Sequence, residues 1–151
     1  MRKFMVVLDD SSECLNAMRF AAMRAAHTGG GVVILSVIPP DDFNHWIGVG
    51  DIMRAEARER IEAHFEVFAK WMRDKQGVDP QLVIREGEPV EEILAQVRED
   101  DDVGVLVLGA AIDGKGPGPL VTAMTKNAGA LPMPITIVPG DLSKERLEAI
   151  T

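Results

Sequence analysis

Continuous apolar runs, each cut off by acidic residues, glycine or proline, constrain this chain more than any other feature. Phe4-Met5-Val6-Val7-Leu8 stops at Asp9-Asp10-Ser11-Ser12, and Val32 to Ile38 stops at Pro39-Pro40. Leu82-Val83-Ile84 ends at Glu86-Gly87-Glu88-Pro89, Val103 to Leu108 runs into a glycine-rich stretch from Gly109 to Pro119, and Pro134 to Pro139 is bracketed by prolines. A strand that lacks polar alternation is one covered on both faces. The segments between these runs have helical spacing. Leu15, Met18, Ala22 and Ala25 mark one helix, closed by Gly29-Gly30-Gly31, and Met53, Ala57, Ile61, Phe65, Phe68 and Met72 mark a long amphipathic one from Asp51 to about Gln76. Pro89 suits the first turn of a third helix carrying Val90, Ile93, Leu94 and Val97, and Leu120, Met124 and Ala128 suggest a short fourth. Strands alternating with helices predict one α/β domain with a five-stranded parallel sheet, doubly wound and Rossmann-like, because right-handed crossovers put helices on both faces. The domain is expected over 1–140, with 141–151 a tail of one or two loose helical turns.

Length and charge narrow the classes. A chain of 151 residues buries a sufficient core as one domain without disulfides or structural metals. The net charge of −8 opposes general attraction to nucleic acid or anionic lipid, and no apolar run is long enough to span a bilayer. Cys14 is the only cysteine, and Met1-Arg2-Lys3 leads directly into a strand-like run. A cytoplasmic protein is the resulting expectation. His27, His45 and His64 have no metal-ligand spacing, so no zinc site is expected.

In sheets of this kind ligands sit beyond the carboxyl ends of the strands, where the strand order reverses. The first and fourth runs are the natural pair to flank that crevice, since one ends in the acidic turn and the other in the glycine loop. Asp9 is read as facing the crevice while Asp10 or Ser11 caps the first helix. Cys14 falls on that helix's buried stripe as a small hydrophobe, its place near a helix start leaving a minor redox-sensing reading. The connection 41–50, with Phe43, Trp46 and Ile47, is read as having packing of its own and lying over the site; Trp46 and Trp71 suit either the core or a partner surface.

Leu8-Asp9-Asp10-Ser11, Gly87-Glu88-Pro89, Val105-Leu106-Val107-Leu108-Gly109 and Leu131-Pro132-Met133-Pro134 stand in the order and spacing of universal stress proteins, and the chain resembles that family over nearly its whole length. The resemblance implies a cytoplasmic, stress-induced homodimer of adenine nucleotide alpha hydrolase-like units, with one branch of the family binding ATP and another lacking it. The ATP branch carries a glycine after strand four, a second glycine shortly after, and a glycine followed by Ser or Thr before the next helix. Gly109 matches the first, Ile112 stands at the second, and Val121-Thr122 stand at the last pair. By similarity, Asp9 faces the ribose or adenine, the backbone near Val37 meets the adenine edge, and Gly109 lets the sugar approach. Thr122 would offer its hydroxyl and N–H to a phosphate at a helix start. Composition alone adds Gly114, Gly116 and Gly118 as a differently shaped phosphate loop, with Lys115 as its cation.

ATP, with Mg as its companion ion, or another adenine nucleotide is therefore the candidate ligand. The dimer is expected through strand five, Ile135, Thr136, Ile137 and Val138, because an open edge strand invites pairing. The competing reading is a nucleotide-free dimeric interaction module of the same family. An enzyme ranks last: there is no HxGH adenylylation motif, and the carboxylates near the loop are limited to Asp9, Asp10 and Asp113, which allows slow ATP hydrolysis at most.

Overall fold

The computed structural model describes residues 1–40 and 49–151, so the readings made for Phe43, His45, Trp46 and Ile47 lie outside the described residues. The elements follow in the order β1 (Lys3–Val7), α1 (Cys14–Thr28), β2 (Gly31–Ile38), α2 (Val49–Trp71), β3 (Gln81–Glu86), α3 (Pro89–Glu99), β4 (Val103–Ala110), α4 (Pro119–Lys126), β5 (Ile135–Pro139) and α5 (Lys144–Ile150). The strands form one parallel sheet in the order β3-β2-β1-β4-β5. β1 and β4 are thus adjacent at its centre.

The unbroken hydrophobicity of the strands has its cause in two separate cores. Met5, Val33, Leu35, Leu106 and Leu108 point to one face, where Ile93 and Val97 of α3 and Val121 and Met124 of α4 cover them. Val6, Leu8, Ile34 and Val107 point to the other, against Met18, Ala21 and Ala22 of α1, Phe65 and Ala69 of α2 and Leu147 of α5. Successive residues of a strand face opposite ways, so a sheet sandwiched between helices needs apolar residues at every position. Each buried Leu, Ile or Met contributes about 1.5–3 kcal/mol relative to exposure.

The helices start where local chemistry permits. Glu88 caps α3 by accepting a hydrogen bond from the Glu91 N–H at 2.9 Å, with Pro89 in the first turn, and Ser143 caps α5 by accepting from the Arg146 N–H at 3.1 Å. α1 departs from expectation. Neither Asp10 nor Ser11 caps it: Glu13 is at the cap position in a helical backbone conformation with no side-chain cap bond, and the Cys14 N–H donates to the Ser11 carbonyl instead. The buried stripe of α1 runs through Cys14, Met18, Ala21, Ala22 and Ala25, while Leu15 is 43 % exposed. α2 ends in a widened π-helical turn over Met72–Gln76, and Ala128 belongs to a short 3-10 turn beyond α4. The last residues form a helix docked by a fully buried Leu147, with the Thr151 carbonyl accepting from Arg24 at 2.9 Å.

Candidate functional site

The sheet's switch point lies between β1 and β4. β1 continues to α1 on one face, whereas β4 continues through residues 111–118 to α4 on the other, so the two connections part and leave a crevice at the carboxyl ends. β1's end is held firmly. The Leu8 N–H donates to the Leu35 carbonyl at 2.8 Å, and the Ser36 hydroxyl donates to the Leu8 carbonyl at 3.2 Å. Asp9 follows at once. Its Oδ1 accepts from the Ser11 N–H at 2.9 Å and from the Ser11 hydroxyl, which fixes the acidic turn; its Oδ2 has no partner among the described residues.

On the α3 and α4 side of this crevice a cavity of about 420 Å³ opens over the ends of β1 and β2, lined by Val7, Leu8 and Asp9 from β1's end, Val37 from β2, Glu88, Pro89, Val90 and Ile93 around the start of α3, and Pro119, Leu120 and Ala123 from α4. Its wall is mainly apolar, with the Asp9 carboxylate at one side; a planar, partly polar ligand suits such a surface. Beside it, a smaller space of about 110 Å³ is lined by Asp9, Ser11, Glu13, Gly109 and Gly118 to Val121. Asp9 borders both.

Gly109 serves the packing of the chain itself. A Cβ at Gly109 would lie 2.5 Å from the Glu13 carbonyl oxygen and 2.8 Å from its carbonyl carbon, and one at Gly140 would lie 2.8 Å from the Glu13 Cβ and 2.9 Å from the Ala110 carbonyl oxygen. The glycines at the ends of β4 and β5 therefore make room for the first turn of α1, with Glu13 wedged between them. The close approach at Gly109 is to the chain's own backbone at Glu13.

The glycine loop folds back on itself. The Ala111 N–H donates to the Pro117 carbonyl at 3.0 Å and the Lys115 N–H to Asp113 Oδ1 at 3.0 Å, so Gly114, Lys115 and Gly116 form an exposed tip. Gly114 and Gly116 border neither space containing Asp9. Lys115 borders a third, open groove of about 580 Å³ along α4, with Thr122, Lys126 and Asn127, which adjoins the other two spaces at Gly118, Pro119 and Ala123. Thr122 is in the first full turn of α4, where its N–H already donates to the Gly118 carbonyl at 3.1 Å and its hydroxyl to the same oxygen at 2.8 Å. Among the described residues, the N–H groups of α4 left without a carbonyl partner are those of Leu120 and Val121. The structure thus brings Asp9 and Val37 to one cavity and Asp9 and Gly109 to its neighbour, and sets Lys115 and Thr122 in the adjoining groove.

Glu13 and Leu120 line these spaces without having been singled out from the sequence. Leu120 reads as one more member of an apolar stripe, and Glu13 as one more acid after the turn. Cys14 lies beneath, donating weakly to the Val7 carbonyl at 3.5 Å; burial pushes its thiol up to about 12, with the nearby Asp9 backbone pulling the other way. A neutral thiol is a poor nucleophile. Among the described residues no group of three or more His, Cys, Asp or Glu is placed to hold a metal, and no helix is long and apolar enough to cross a membrane. A larger cleft, about 730 Å³, lies at the opposite end of the sheet between Arg2, Gly30, Gly104 and Pro134. It lies far from the strands' carboxyl ends, where sheets of this topology bind ligands.

A doubly wound five-stranded parallel sheet with a crevice at its switch point defines the Rossmann-like class of α/β proteins. The sequence model of the Universal stress protein family matches residues 1–116, and the chain belongs to that family. The fold agrees. The universal stress protein UspA from Lactobacillus plantarum superposes with a TM-score of 0.74 at 15% identity, over 91% of this chain and 97% of that one. A universal stress protein in complex with cAMP gives 0.66 at 17% identity, over 93% and 98%. The universal stress protein from Archaeoglobus fulgidus in complex with dAMP gives 0.59 at 18% identity, over 91% and 98%. A comparison with curated proteins finds no match.

Proposed function

We propose that this universal stress protein binds an adenine nucleotide in the crevice between β1 and β4 and acts as a nucleotide-responsive protein rather than as a catalyst. The observation that carries the proposal is the cavity of about 420 Å³ with Asp9 at its edge. Its apolar wall of Val7, Val37, Val90 and Leu120 suits the faces of a purine, and Val37 comes from the end of β2, where the free backbone can meet the base edge. The unpartnered Asp9 Oδ2 is an acceptor for a ribose hydroxyl. Structural relatives in complex with cAMP and dAMP support the same ligand class. Where the ligand is ATP, Mg would arrive on its phosphates, which carry most of the ligands that such an ion takes.

Calorimetric titration with AMP, cAMP, dAMP and ATP tests this. Saturable binding is expected, with Asp9→Asn weakening it about tenfold or more, the ~1.5 kcal/mol at the lower end for one hydrogen bond to a charged group. Absence of saturation up to millimolar concentrations of every one of these compounds would sink the proposal.

The same reading includes a homodimer through β5, the outer strand of the sheet, whose Ile137 is 42 % exposed. Light scattering coupled to size-exclusion chromatography, comparing the wild type with Ile137→Lys, reads this: a dimer mass falling to a monomer mass is expected, and a monomeric wild type contradicts it. The single buried thiol suits a reducing cytoplasm.

A further inference from the structure

We propose that Glu13 sets the length of the ligand: its carboxylate occupies the place where the outer phosphates of a nucleotide would lie, so that the site selects adenine nucleosides and monophosphates over ATP. The inference rests on the nucleotide reading above and goes beyond it. Given a base against Val37 and Leu120, the natural anchor for phosphates is the start of α4, where the Leu120 and Val121 N–H groups are unpartnered and the helix dipole favours an anion. Glu13 already reaches that point. It lines the space of about 110 Å³ together with Gly118 to Val121, and its Oε1 is 3.9 Å from the position a Cβ on Gly118 would take.

Three further observations close that route. Asp9 lines the same small space, so phosphates entering it meet two carboxylates, and the cost grows with the charge of the ligand from AMP to ATP. The room is slight: at about 30 Å³ for each water in the liquid, it holds a few waters rather than a chain of phosphoryl groups. The root of Glu13 is fixed, its carbonyl packed against Gly109 and its Cβ against Gly140, and its Oε2 accepts from the Ser12 hydroxyl at 3.4 Å. The loop lysine, Lys115, lines the groove along α4 and neither of the two spaces that Asp9 borders. A like charge at close range in a partly enclosed site disfavours a polyanion by an order of magnitude or more in affinity.

The test is the ranking of adenosine, AMP and ATP by calorimetry, in the wild type and in Glu13→Gln. Expected is wild-type binding of adenosine and AMP with ATP at least about tenfold weaker than AMP; Glu13→Gln then narrows the ATP gap at least about fivefold and leaves adenosine within about twofold. ATP binding the wild type as tightly as AMP, or a gap unchanged in Glu13→Gln, overturns the inference and leaves the nucleotide reading standing. No binding by any of the three overturns both. Should Glu13→Gln fail to fold, the wild-type ranking repeated at about 0.03 M and 0.5 M salt decides, because screening shrinks a gap due to repulsion and leaves one due to shape alone intact.

Discussion

Replacing Gly109 by alanine perturbs the point where three elements meet. The added methyl would lie 2.5 Å from the Glu13 carbonyl oxygen and 2.8 Å from its carbonyl carbon, distances that only a shift of backbone relieves. A flexible side chain would yield cheaply; this is the first turn of α1, fixed by a buried Asn16 whose Nδ2 donates to the Pro139 carbonyl at 3.2 Å and the Leu142 carbonyl at 3.0 Å. Overpacking of this kind costs typically about 1–3 kcal/mol. For a domain of this size each kcal/mol moves the midpoint by about 2–4 °C, so Gly109→Ala should lower Tm by roughly 2–12 °C. Gly129→Ala is the control, since nothing lies within 4 Å of its added methyl and its backbone is not left-handed. Thermal unfolding followed by circular dichroism measures both. A Gly109→Ala protein melting with Gly129→Ala, within about 1 °C of wild type, would refute the account of Glu13 as a wedge between β4 and β5.

Other outcomes follow from the same structure. Asn16→Ala removes the donor to two carbonyls and should destabilise by about 1–3 kcal/mol in urea titration; an unchanged midpoint would mean that those carbonyls find other partners. Leu147→Ala should cost about 2–5 kcal/mol, because this fully buried side chain docks α5 on the core; a cost under ~0.5 kcal/mol would show the C-terminal segment to be loosely attached. Burial raises the Cys14 thiol from 9.0 to about 12, so the unfolded chain loses that proton first as pH rises. The stability it contributes is complete below pH 9 and is lost between 9 and 12, by at most ~1.4 kcal/mol per pH unit. Wild type minus Cys14→Ala, compared by denaturation at pH 8 and pH 10.5, should show that loss; parallel curves would contradict it.

The strands were legible in the sequence because burial on both faces writes itself as an unbroken apolar run, and the switch point followed from which two runs end in special turns. Pro89 announced α3 for a local reason, since it occupies the first turn of the helix, and the structure adds Glu88 as the cap just before it. The start of α1 misled for the converse reason. Asp9, Asp10, Ser11 and Ser12 all have capping chemistry, but the Asp9 carboxylate binds Ser11 within the turn, and the helix begins only after Glu13. Glu13's position was not legible at all, since it depends on Gly109 and Gly140 converging on it from two strands far away in sequence. Thr122 reads as a helix-start residue by motif spacing, yet Pro119 opens the helix, which places Thr122 where its N–H is already used. The docking of α5 rests mainly on one leucine in a charged segment, too weak a period to read.

The central claim is that the crevice at the carboxyl ends of β1 and β4 is the binding site. Amide chemical-shift mapping during titration with AMP tests it most directly. The account expects the shifts to cluster at Val7 to Asp9, Val37, Val90 and Leu120 to Ala123. Shifts gathered instead around Arg2, Gly30, Gly104 and Met133, at the cleft on the far end of the sheet, would contradict it.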